Sequence, residues 1–241
     1  MNKPINKQFD STVSSQTIPM AKTYLSGVFM WMFLALGITA ATAWLFATTP
    51  SLMGMLITET GSMSIMGWVV MLAPLGLVLW LSRGINRMAA STMVLVFVAF
   101  SVLMGASLSF IFLAYTGASI AKTFVITSGM FGTMAVVGYT TKTDLTKFGS
   151  LMMMGLVGII IASVVNMFMR SEMMDYIISF AGVLIFTGLT AYDVQKLKRI
   201  GSQITEGSEL ARKMTIMGAL TLYLDFINLF LFLLRIFGNR K

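Results

Sequence analysis

Gly218–Phe237, GALTLYLDFINLFLFLLRIF, is an apolar run long enough to cross a bilayer as one helix, and it holds a carboxylate, Asp225, in its interior. An acid at that depth is costly in hydrocarbon, so it normally faces a bundle interior, a partner or a water-filled path. Thr221, Asp225 and Asn228 are spaced i, i+4 and i+7, which puts all three on one helix face. The other faces are Leu, Phe and Ile. Such a helix needs other helices around it, and the chain can supply them. Of its 241 residues 57% are hydrophobic and 11% charged, whereas a soluble domain carries roughly a quarter charged residues. No polar segment is long enough to separate two domains. The expected fold is all-α: a single polytopic membrane domain.

Taken in order, residues 1–23 are polar, carry Lys3, Lys7 and Lys22, and read as a cytoplasmic tail. A first span over 24–47 is too long for the apolar core of a signal peptide and lacks a cleavage site. A loop without Lys or Arg follows over 48–66. The second span, 67–82, contains Pro74, which neighbouring helices can accommodate. Arg83 and Arg87 end it. The third lies within 88–115, where Ser101, Gly105 and Ser109 form a small-residue stripe that lets helix backbones approach closely. A turn with Lys122 leads to a fourth span over 123–140, then come a fifth over 148–169 and a sixth from about residue 176 past Asp193. The seventh is Gly218–Phe237, and residues 24–238 make up the transmembrane domain.

Seven spans place the termini on opposite sides. Of the 17 Lys and Arg residues, 12 fall on the amino-terminal side and 5 on the other. That bias predicts a cytoplasmic amino terminus in a multi-pass cell-membrane protein, a bacterial plasma membrane being the natural setting. The same distribution removes the nucleic-acid reading that a net charge of +8 invites, because the cations sit in short loops between spans. The 23 methionines read as flexible packing and lipid-facing filler, not as a copper site.

Neither cysteine nor histidine occurs, so thiol chemistry, imidazole ligands and the usual pH switch are excluded. Any proton or cation chemistry falls to the nine acids, of which Asp193 and Asp225 lie within or at the edge of spans. Counting about 1.5 Å per residue puts both in the cytoplasmic half, where they can meet if spans six and seven pack together. Two carboxylates held close repel when both are ionised, tend to share one proton, and titrate as a unit. They also suit a hard cation such as Ca²⁺, with carbonyls and waters completing the shell. Plainer roles stay open: Asp193 as a helix-end ion pair with Lys196, Asp225 as a packing hydrogen bond, and Arg83 and Arg87 as interfacial anchors.

The segments TGLTAYDVQKLKRI (Thr187–Ile200) and LYLDFINLFLFLLRIFG (Leu222–Gly238) resemble the closing signature of the Bax inhibitor-1 family, also called the transmembrane Bax inhibitor motif family. Span count and length extend the resemblance over about residues 20 to 238, and it is to the bacterial members. It implies six helices surrounding a central seventh, and a proton-sensitive Ca²⁺ leak whose cytoplasmic mouth is controlled by a di-aspartyl pair. The pair falls on Asp193 and Asp225, which would also be the residues that meet Ca²⁺. Thr221 and Asn228, which share a helix face with Asp225, are the expected polar residues lining the path, with a plain cross-link between helices as the alternative for Asn228. The latch found in bacterial relatives, an arginine at the end of span two, falls on Arg83 or Arg87, and spacing does not choose between them. Roles tied to a longer charged tail in eukaryotic relatives do not transfer, because only three residues follow Gly238.

The expected function is therefore a pH-sensitive calcium leak and not an enzyme, with the bilayer, Ca²⁺ and protons as partners, Ca²⁺ as the transported ion and no cofactor. The alternative is a regulatory protein that binds a membrane protease or another quality-control partner through the amino-terminal tail. An intramembrane aspartyl protease would need Gly-x-Gly-Asp where this chain has Leu222-Tyr223-Leu224-Asp225. A retinal protein would need a lysine that span seven lacks.

Overall fold

The computed structural model describes residues 6–58, 60–205 and 207–241, with side chains described from residue 21 onward. Of the expected 1–23 tail only residues 1–5 lie outside the described residues; residues 6–23 are helical and continuous with the first span. The chain forms α1 (Asn6–Thr48), α2 (Pro50–Leu56), α3 (Ile65–Gly84), α4 (Ala90–Leu108), α5 (Ile111–Ala114), α6 (Gly117–Thr140), α7 (Thr146–Met169), α8 (Glu172–Gly201) and α9 (Glu209–Phe237). Among the described residues seven helices are long and apolar enough to cross a membrane: α1 from Ala21, α3, α4 continued through α5, α6, α7, α8 and α9. The protein is a multi-pass helical membrane protein.

Several helices are longer than their apolar runs. The sixth span begins at Glu172, where Ser171 caps the helix by accepting from the Met174 amide, and Glu172 and Asp175 occupy its first turn. Acids are favourable there against the helix dipole. The seventh begins at Glu209, nine residues before the apolar run, capped by Ser208 accepting from the Ala211 amide. Lys122, expected in a turn, lies inside α6, which Thr116 caps by accepting from Ser119. The loop expected over 48–66 holds α2, started by Pro50 at a position where its missing N–H costs nothing. Pro74 sits buried inside α3, accommodated as expected.

The layering follows from burial. In α9 67% of the most apolar window is buried, in α8 56%, and in the other five spans 11–39%, so α9 is the central helix and α8 its chief neighbour. Around α9 pack α8, α1, α6 and α4; α3 completes the outer layer on α4, and α7 on α8. Large apolar side chains such as Trp44, Trp80, Leu95, Ile160 and Phe180 face outward, the surface a lipid solvent requires. The Ser101–Gly105–Ser109 stripe does bring backbones together. A Cβ on Gly105 would meet the Thr39 carbonyl oxygen of α1 at 2.6 Å. At the far end the chain terminus docks on the start of α6: Asn239 N–H donates to Ser119 Oγ at 2.9 Å and Thr116 N–H to Asn239 O at 3.2 Å.

Candidate functional site

The central contact of the bundle is α8 against α9, and glycines on α6, α7 and α9 set how closely the neighbours of α8 pack on it. On α6, Gly138 lies directly against the Ala191 backbone, where any Cβ would collide with the carbonyl. On α7, Gly149 leaves the space that the Tyr192 ring fills. On α9, Gly218 receives Leu197, with the Leu197 Cδ2 methyl 2.8 Å from where a Cβ would stand. These contacts bracket Asp193 on three sides and give α8 little freedom to shift or rotate.

The rotation of α9 is fixed from the opposite side. Tyr223, fully buried, stacks edge-on against Phe97 and Phe100 of α4, and its hydroxyl lies 2.8 Å from Thr39 Oγ1 of α1. Thr39 Oγ1 donates in turn to the Ser101 carbonyl at 2.9 Å. Threonine has one hydroxyl proton, and the carbonyl takes it, so Tyr223 must be the donor to Thr39. Residues two apart on a helix point about 200° apart. Anchoring Tyr223 to α1 and α4 therefore turns Asp225 toward α8.

There it meets Asp193. The two carboxyl groups face each other within hydrogen-bonding reach, at 8% and 5% exposure for Asp193 and Asp225. If both are counted as carboxylates the pair has no donor, and Asp225 Oδ2 is the one described buried side-chain oxygen without a hydrogen-bond partner. One proton held between the two would supply the missing donor. Lys196, one turn along α8, is exposed, lies 5.9 Å from the Tyr192 ring centroid, and is close enough for its charge to act on Asp193. It forms no salt bridge with Asp193, so the helix-end ion pair considered for that residue is at most a remote one.

The remaining expected site residues are placed differently. Thr221 Oγ1 donates to the Met217 carbonyl at 3.0 Å and Asn228 Nδ2 to the Leu224 carbonyl at 2.8 Å. Both are half-buried on the face of Asp225, and each donates to a carbonyl of its own helix. Arg83 and Arg87 are exposed at the end of α3, and the structure brings neither to the pair. Among the described residues no group of three acids gathers in one place, so Asp193 and Asp225 stand as two.

A second polar cluster lies at the same end of the bundle. Gln195 staples the α6–α7 loop to α8, accepting from the Leu145 amide and donating to the Thr143 carbonyl, each at 2.8 Å. Lys198 Nζ donates to the Tyr139 carbonyl at 2.7 Å, and Arg199 Nη2 to Asp144 Oδ1 at 3.1 Å. The Thr146 hydroxyl and amide, and then Arg199, hold the Asp144 carboxyl down at about 2. Nothing in the sequence marks these residues, or Thr39 and Tyr223, as partners of one another. The basic run Lys196–Arg199 was visible only as a topology signal.

Comparison with known proteins gives consistent matches along the chain. A family model described as "Inhibitor of apoptosis-promoting Bax1" matches residues 21–241. The chain is 48% identical over 221 residues to an inner membrane protein of Escherichia coli K12, YbhL, covering 91% of this chain and 93% of the relative. It is 45% identical over 232 residues to an uncharacterized protein of Borreliella burgdorferi, covering 96% and 98%. Against an uncharacterized protein of Rickettsia prowazekii the identity is 42% over 238 residues, covering 98% and 94%.

Proposed function

Because the chain belongs to the family described as Inhibitor of apoptosis-promoting Bax1, the Bax inhibitor-1 family, we propose that it is a pH-sensitive calcium leak gated by Asp193 and Asp225. The observation that carries this reading is the facing of two buried carboxyl groups from the two innermost helices, with Asp225 Oδ2 left without a donor. With one shared proton the pair ties α8 to α9 and closes the path. Loss of that proton leaves two like charges facing each other at low dielectric, which pushes the helices apart and invites water and a cation. Ca²⁺ suits the opened site because it is a hard ion with a preference for oxygen. Two carboxylates without a third acid make a place of transit and not a cage.

The pair lies toward the end of α8 that carries the basic cluster, and this end faces the cytoplasm of a bacterial cell in our reading. The 12-to-5 distribution of Lys and Arg supports that orientation. The test is Ca²⁺ entry into liposomes containing the purified full chain, followed from about pH 5 to about pH 8. The wild type is expected to pass Ca²⁺ with a pH dependence that Asp193→Asn or Asp225→Asn abolishes. Flux equal to that of empty liposomes throughout would overturn the reading.

A further inference from the structure

At the basic end of the bundle α1 and α6 both pack on α8 and α9 but not extensively on each other, which leaves a lateral cleft between them. Its outer part, about 460 Å³, is lined by Lys142, Lys198, Arg199, Gln195, Ser202 and Tyr139, among others. Directly alongside runs an apolar groove of about 340 Å³ with Ser26 and Phe29 on one wall and Ala135 and Val136 on the other. Tyr139 borders both. Ala135 and Val136 stand one turn deeper in the bundle than Tyr139, and Phe29 two turns deeper than Ala21, so the apolar groove lies on the bilayer side of the polar cleft.

Two of the charges in the outer part are positioned in advance. Lys198 is held by the Tyr139 carbonyl at 2.7 Å with its ammonium 4.7 Å from the Tyr139 ring centroid, which leaves two of its three donors to spend. Arg199 is held on Asp144 by one nitrogen, and its other donors are uncommitted to any acid. Lys142 is exposed at the rim and Lys22 stands where the apolar groove begins. Counting Lys22, four cations face one acid, and ordering cations beforehand lowers the cost of holding an anion.

We propose that this cleft binds one anionic phospholipid, its phosphate between Lys142, Lys198 and Arg199 and an acyl chain along Ser26, Phe29, Ala135 and Val136. Basic pockets between helices at a membrane surface recognise anionic headgroups, and Tyr139 sits where an interfacial aromatic belongs. A soluble phosphate would use the outer cleft alone. The apolar groove joined to it selects a ligand that carries both parts.

The test is native mass spectrometry of the full chain in detergent, with phosphatidylglycerol or phosphatidylcholine of the same acyl chains added, and glycerol phosphate as soluble competitor. The wild type should retain one phosphatidylglycerol in preference to phosphatidylcholine by roughly tenfold or more. Lys142→Gln/Lys198→Gln/Arg199→Gln should erase the preference. Because Lys198 also ties α8 to α6, Lys142→Gln/Arg199→Gln, which spares that tie, should still weaken it. Ser26→Trp, at an exposed position on the groove wall, should lower lipid retention without a change of charge, and Lys147→Gln, outside the cleft, should leave retention intact. Equal retention of phosphatidylcholine, an equal loss with Lys147→Gln, or displacement of the lipid by glycerol phosphate at matched concentration would overturn the proposal.

Discussion

Replacing Thr39 by valine should destabilise the bundle more than replacing Tyr223 by phenylalanine, although each removes one hydroxyl from the same hydrogen bond. The chain runs from Tyr223 OH to Thr39 Oγ1 to Ser101 O, at 2.8 and 2.9 Å, among residues that are 0–3% exposed. Tyr223→Phe takes away one donor and leaves Thr39 still donating to the carbonyl. Interhelical hydrogen bonds in membranes average about 0.6 kcal/mol, and a loss near that size is expected. Thr39→Val removes both bonds and strands the phenol proton in the fully buried centre, where an unsatisfied polar group costs about 1–3 kcal/mol. Threonine and valine are close in shape, so little cavity cost obscures the comparison. Adding Tyr223→Phe to Thr39→Val removes the stranded donor, and the double variant should be no less stable than Thr39→Val alone. The assay is equilibrium unfolding in mixed micelles by SDS titration for the four proteins of the cycle. Strict additivity, or a larger loss for Tyr223→Phe than for Thr39→Val, would refute the assignment of Tyr223 as donor and with it the anchoring of α9.

Gly138→Ala should cost about 1–3 kcal/mol in the same assay, because its Cβ meets the Ala191 backbone and backbone does not yield; Gly158→Ala, with open space around it, should be neutral or gain up to about 1 kcal/mol. The Asp144 carboxyl, held at about 2 by Thr146 and Arg199, has a folded value below its unfolded one, so its contacts are complete above the ordinary carboxylate range and are lost as pH falls through about 2. Amide exchange in the 141–145 loop, corrected for its intrinsic pH dependence, should therefore be unchanged between about pH 5 and pH 8, and Asp144→Asn should leave the pH profile of Ca²⁺ flux in place. Arg83→Gln and Arg87→Gln, at exposed positions without an ion pair among the described residues, should each move unfolding by no more than about 0.5 kcal/mol.

The seven crossings were legible because hydrocarbon imposes one rule on every residue of a span, while the central place of the last came from the family resemblance. Asp225 stood out for the same reason: a single acid in a Leu- and Phe-rich helix has no bland surface role. Helix ends were less legible. The apolar runs of α8 and α9 give way to charge at their amino-terminal ends, but Glu172, Asp175 and Glu209 are acids in capped first turns, so hydropathy marks the membrane boundary and not the end of the helix. The Thr39–Tyr223 anchor was hidden because a lone threonine in span one carries no sign of a partner 184 residues away. Glycines posed the same difficulty. Gly138 and Gly158 look alike in sequence, and only packing shows that one is pressed on a neighbouring backbone while the other faces open space.

The claim that Asp193 and Asp225 work as one proton-sharing unit is tested most directly by the pH profile of Ca²⁺ flux for the wild type, Asp193→Asn, Asp225→Asn and the double variant in the same liposomes. If one proton serves both residues, each single variant already removes the shared site. The double variant should then show the same flattened profile as the singles, with no further change. Two separate, additive shifts in the profile, or a wild-type pH dependence that persists in the double variant, would contradict the account.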